Sequence, residues 1–261
     1  MMARCIAVAL LCAFGVRAAS AQQAQEDVQQ IRRAAEQGDA RAQTRLGTMY
    51  ANGTGVAQDD VQAVQWYRKA AEQGLADAQV SLGMMLDSGN GVPRDSAQAV
   101  EWYRKAADQG QAQGQFQLGL AYEDGAGVAR DPVKAAEWYR KAAEQGFASA
   151  QNNLGLMYVA GSGVSQSAMQ AFQWFRKAAE QGPADAQFNL AMAYFNGAGG
   201  EVDFVEAFKW FAIAASHSTG VTLQQYANSR DAIATRLTPA EVADAQKRAQ
   251  DWLDAFARRP Q

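Results

Sequence analysis

Apolar residues fall at helical spacing from Ala42 onward. Ala42, Leu46 and Tyr50 stand four apart on one face, which predicts a helix over about 42–52. Gly53 ends it, and a short loop, Gly53-Thr54-Gly55-Val56-Ala57-Gln58, follows. A second apolar stripe, Ala63, Trp66, Tyr67 and Ala70, predicts a second helix that closes at Gly74, a residue able to take the left-handed conformation of a helix end. Thirty-six residues later the pattern starts again. Trp66, Trp102, Trp138, Trp174 and Trp210 share one column. The Leu-Gly pairs at 46, 82, 118 and 154 share another, with Leu190-Ala191 as the fifth copy. Paired alanines recur at 70–71, 106–107, 142–143, 178–179 and 214–215, small enough for close helix approach, and each Trp is expected to fill the resulting groove.

Helix starts are as regular as the stripes. Asp59, Asp95, Asp131, Ser167 and Asp203 stand where the second helix begins, and all have short side chains that accept an N-terminal N–H. Gln62, Gln98, Gln170 and Glu206 follow three positions later and predict reciprocal capping boxes, with Lys134 in the remaining copy. Pro132 occupies a first helical position, where its missing N–H costs nothing. One helix pair cannot bury its own apolar stripe, but a stack of pairs can. The predicted fold is therefore an all-α solenoid of antiparallel helix pairs.

The run Ala-Gln-x-x-Leu-Gly-x-x-Tyr, then Gly-x-Gly-Val, then Trp-Tyr-Arg-Lys-Ala-Ala-Glu-Gln-Gly resembles the Sel-one-like repeat family, a relative of the tetratricopeptide repeats. Ala150 to Gly182 carries it most cleanly, and it covers 39–215 in five copies. The resemblance implies a right-handed superhelix and a role as adaptor or scaffold. Some secreted relatives carry a disulfide in each repeat, and those cysteines are not in this chain.

The ends depart from the repeat. Residues 22–38 form a linker and a half-repeat cap, because Arg32-Arg33-Ala34-Ala35-Glu36-Gln37-Gly38 matches only the end of a second helix. After Ala215 the period fails, and 216–261 reads as a C-terminal helical cap. It holds one helix over about Val221 to Arg236 and another from Thr238-Pro239-Ala240-Glu241 to about Ala257. The second would lay Val242, Ala245, Ala249, Trp252 and Phe256 on the last repeat. At the other extreme, Arg4, the apolar run Cys5 to Val16 and Ala19-Ser20-Ala21 read as a signal peptide over 1–21. The run is too short to span a membrane. Cleavage would remove both cysteines, Cys5 and Cys12, and place the protein in the periplasm or outside the cell. It would leave 22 basic residues against 27 acidic, a net charge of −5. That balance argues against nucleic acid, whose binding rests on basic patches.

Nothing in the repeat marks catalysis. The Gly-x-Gly loops follow helices rather than strands, unlike a dinucleotide fingerprint. His217 is the one histidine and reads as a solvated loop residue; without cysteine it makes no zinc site, and no metal or cofactor is expected. Serine-acylation and zinc-protease motifs are absent, so a cryptic hydrolase is the weakest reading. Binding is expected on the first helices, which line the concave side of such stacks. Arg45, Ser81, Gln117, Asn153 and Asn189 form a polar column, with Met49, Met85 and Met157 beside it as adaptable apolar contacts. Amide side chains both donate and accept, so they can pair with a peptide backbone of any sequence. Arg68-Lys69 and its copies read as a solvated, ion-paired stripe on the second helices. The expected protein is a monomeric, non-catalytic adaptor of the cell envelope that holds a partner protein or peptide. The alternative ligand is a peptidoglycan fragment.

Overall fold

The computed structural model describes residues 25–259, and every regular element among them is a helix. The signal-peptide reading lies outside the described residues. Helix α1 covers 25–36. The first helices of the five repeats are α2 (Ala40–Asn52), α4 (Ala76–Ser88), α6 (Ala112–Asp124), α8 (Ala148–Ala160) and α10 (Ala184–Phe195). Their second helices are α3 (Asp60–Glu72), α5 (Ser96–Asp108), α7 (Pro132–Glu144), α9 (Ala168–Ala179) and α11 (Phe204–Ser216). Helices α12 (Gly220–Ala234) and α13 (Pro239–Ala257) complete the chain. None of the described helices is long and apolar enough to cross a membrane. The chain divides into two compact units, one up to Gly114 and one from Gln115 on.

Capping explains the boundaries. Gly53 closes α2 at φ 67°, and its N–H bonds the Met49 carbonyl. At the start of α3, Asp59 accepts from the Gln62 N–H at 3.0 Å, and Asp95, Asp131, Ser167 and Asp203 repeat the contact. The expected reciprocal bond is not returned in the repeats. Both halves of a capping box form at Thr238 and Glu241, where α13 begins. That acid side chain is held below the usual carboxylate range by the Thr238 backbone N–H and hydroxyl.

Both aromatics of the second helix were expected in the core, with Trp filling the groove, but in four of the repeats packing buries only the second of them. Tyr67, Tyr103, Tyr139, Phe175 and Phe211 are the buried rings. In four copies the ring lies against the helical glycine of the first helix. A Cβ placed on Gly47, Gly83, Gly119 or Gly155 would come within 2.5–2.8 Å of it. The Leu-Gly pair is therefore a recess for the ring, and the neighbouring Trp, about 100° further round the helix, is turned outward. Trp66, Trp102, Trp138 and Trp174 are only half-buried. Lys69, Lys105, Lys141 and Lys177 place their ammonium groups 3.7–4.3 Å over those rings. The lysines of the basic stripe are thus cation–π partners.

A second device is polar. Gln43, Gln79, Gln115, Gln151 and Gln187 are buried. The amides of Gln43, Gln79, Gln151 and Gln187 donate to the carbonyls of Ala35, Ala71, Ala143 and Ala179, one helix back. Gln73, Gln109, Gln145 and Gln181 donate to the carboxamide oxygens of Gln43, Gln79, Gln115 and Gln151 at 2.7–2.8 Å. For Gln187 the corresponding partner is His217, whose Nδ1 is 3.0 Å from Oε1. His217 is exposed just beyond α11, as expected, but it is also a member of this column, and its ring lies beside Trp252 and Phe256.

The loss of repeat sequence after Ala215 hides a retained spacing. α12 starts 36 residues after α10 and packs on α11 as a further first helix. Its Tyr226 is buried, stacks on Phe188 at 4.5 Å and donates to Asp185 at 2.5 Å. Burial first, and then Asp185, raise the Tyr226 pKa. α13 departs from the pattern, because it packs on α11 rather than alongside α12. Val242, Ala245, Ala249 and Trp252 join the core of the last repeat.

Candidate functional site

The expected polar column divides between the two units. In the first, Arg45 is exposed, whereas Ser81 bonds the Asp77 carbonyl one turn back. In the second, Gln117 is half-buried and Asn153 bonds the Tyr139 hydroxyl. That hydroxyl donates to Glu123 at 2.5 Å, and burial, followed by Glu123, pushes its pKa up. Asn189 donates from Nδ2 to Oδ1 of Asn152 at 2.8 Å.

The methionines are not where a ligand would meet them. Met49 and Met85 are buried, and Met157 is 2% exposed. The outward apolar position lies one residue earlier, a rotation of about 100°. It carries Thr48, Met84, Leu120, Leu156 and Met192, of which Met84 and Leu156 are each 43% exposed. The signal that finds this face is a break in another column. Val159 stands where Asp87 and Glu123 stand in earlier repeats, and it is 48% exposed.

These residues meet in a recess of about 670 Å³ in the second unit. Leu156 and Val159 of α8 form one wall, and Phe188, Asn189, Met192 and Asn196 form the other. Ala171 and Phe175 of α9 are at its base, and Gln166 lies at its edge. No titratable side chain lines it. Its polar side chains are three carboxamides, those of Gln166, Asn189 and Asn196. The bond to Asn152 fixes the Asn189 amide and leaves its Oδ1 as an acceptor. Such a site takes an apolar group with polar, uncharged flanks; a charge buried here would lack a counter-charge.

A model of the Sel1 repeat matches five consecutive segments, 40–75, 76–111, 112–147, 148–183 and 184–218. The chain belongs to the Sel1 repeat family. Its fold class is that of the family, a solenoid of tandem helix pairs. A Sel1 repeat protein from Oxalobacter formigenes is 30% identical with a TM-score of 0.72, over 90% of this chain and 98% of that one. The uropathogenic Escherichia coli protein c5321, described as a protective antigen with this fold, is 33% identical with a TM-score of 0.57. That match covers 91% of this chain and 60% of c5321. A putative Sel1 repeat protein from Klebsiella pneumoniae shares the fold at 24% identity and a TM-score of 0.52, over 77% and 98% of the two chains. No curated protein matches the sequence. Sel1 repeat proteins are generally scaffolds for protein interaction and typically non-catalytic.

Proposed function

We propose that this Sel1 repeat protein is a non-catalytic adaptor of the bacterial cell envelope that holds an extended segment of a partner protein on its first-helix face. The neutral recess between α8 and α10 carries the reading. Leu156 and Val159 offer apolar surface to solvent, and the carboxamides of Gln166, Asn189 and Asn196 line the same recess. The recess favours an uncharged stretch of polypeptide with one or two apolar side chains. Cleavage after Ala21 would deliver the protein to the periplasm or beyond, with no cysteine left to oxidise.

The experiment is a crosslinking pulldown from envelope extract, comparing the wild-type protein with Asn189→Ala and with Leu156→Asp. A protein enriched by wild type and lost with both variants is the expected result. Retention on purified sacculi with no enriched protein would transfer the recess to a peptidoglycan ligand. Enrichment unaffected by either substitution would remove the recess from the binding surface.

A further inference from the structure

Among the described residues, two helices lack the partner that every complete repeat supplies. α1 has the sequence of a second helix, and its Ile31 stands in the column of the buried ring Tyr67. Among the described residues no first helix precedes it. Ile31 and Ala34 border an open cavity of about 550 Å³ with Arg41 and Arg45 on its other side. Ile31 and Val28 border another of about 500 Å³.

α12 presents the converse. It keeps the first-helix spacing and packs on α11 as α4 packs on α3. With α13 laid on α11 instead, the side of α12 that would receive a second helix is left without one. Leu223, in the column of the buried glutamines, is 41% exposed, and Val221 is 86% exposed. Ala227 stands in the glycine column, half-buried.

We propose that a second copy of the chain supplies what each end lacks, with α1 of one molecule packing on α12 of the next as its missing second helix. The contact continues one already made inside the chain between α2 and α3, α4 and α5, α8 and α9, and α10 and α11. Side-chain volumes agree with it. In the first four repeats the ring lies against glycine, where a Cβ would come within 2.5–2.8 Å, while in the fifth Ala191 stands in the glycine column with the ring Phe211 still buried. At this junction the glycine is replaced by Ala227, and the ring is replaced by the smaller, ring-free Ile31. A pairing of α1 with α1, or of α12 with α12, sets like against like and uses neither complement. The association is head-to-tail, so it adds copies in series or closes a ring rather than stopping at a dimer. It replaces the monomer expected from the sequence.

Sedimentation velocity of the purified protein over a range of concentrations tests this, with Ile31→Glu and Leu223→Glu as variants. Wild type is expected to pass beyond the mass of a dimer as concentration rises, while each variant alone stays at monomer mass. The deciding sample is the equimolar mixture of the two variants. Each retains one intact end, so the mixture forms a species of twice the monomer mass and nothing larger. Ala227→Phe fills the recess without adding charge and is expected to behave as Leu223→Glu does. Circular dichroism and thermal midpoints matching wild type identify the variants that fold. Wild type that remains monomeric, folded variants that still assemble alone, or a mixture that remains monomeric would each overturn the proposal.

Discussion

The same tryptophan column has two fates. In repeats one to four the indole is half-buried beneath a lysine of the next turn. In the last repeat Trp210 is 4% exposed, because α13 lays Trp252 across it at 5.5 Å and 65°. The glutamine ladder changes at the same place, where His217 stands in for the residue that caps Gln187. A position in the repeat therefore fixes which way a side chain points. Its burial is decided by whatever follows in the stack.

The largest effect expected from this contrast is in denaturant unfolding. Trp210→Ala and Tyr139→Ala should each cost about 3–5 kcal/mol, as buried aromatics do. Trp138→Ala should cost about 1 kcal/mol, mostly the lost cation–π contact and partial burial. Equal losses at Trp138 and Trp210 would break the comparison. Gln151→Leu comes next. It removes one donor to the Ala143 carbonyl, which keeps its bond from the Gly146 N–H, and the acceptor of Gln181, at about 1–3 kcal/mol for the two lost bonds. His217→Gln restores the column and should stay within about 0.5 kcal/mol; a larger loss would show that the contacts with Trp252 and Phe256 matter more than the ladder.

Alkaline pH separates the repeats in another way. Burial raises the pKa of Tyr67, Tyr103 and Tyr139 above the ordinary 10.0, with charge from Asp87 and Glu123 adding to it at the last two. The folded chain therefore holds these protons more tightly than the unfolded chain. Their contribution is full below about pH 10 and is lost as pH rises through the folded pKa. The thermal midpoint should fall above pH 10, and Tyr139→Phe should make the fall shallower. Phe175 and Phe211, in the same column, have no proton to lose. The smallest stability change is expected for Asn189→Ala, within about 0.5 kcal/mol, alongside the loss of the binding proposed for the recess.

Much of the fold was legible because it repeats. The 36-residue spacing, the capping Asp column and the closing glycines each appear several times, so chance matches are easily discarded. Orientation was harder to read. Trp66 and Tyr67 are adjacent and both recur, and nothing in the period says which faces the core. Gly47 held the answer, since a glycine inside a helix marks a close approach, and the residue approaching it is Tyr67. The same one-residue ambiguity put Met49, Met85 and Met157 on the outward face, where Leu156 is exposed and they are buried. His217 was readable in principle, standing 36 residues after Gln181, but only once the glutamines were known to form a ladder. The placement of α13 was legible from its stripe, since Val242, Ala245, Ala249 and Trp252, expected on the last repeat, join its core.

The glutamine ladder also bears on how such a protein gains length. In the first two repeats, for example, the buried glutamine reaches back to a carbonyl of the preceding helix and is met by a glutamine of its own repeat. A 36-residue block copied in tandem carries the complete set of these groups to its new boundary. The duplicate is satisfied on both sides from the moment it appears, with no compensating change elsewhere. After the last block the column holds Leu223, which can neither reach back nor be met. New blocks can thus enter between existing ones, while growth beyond α12 would need the grammar of the boundary rewritten first.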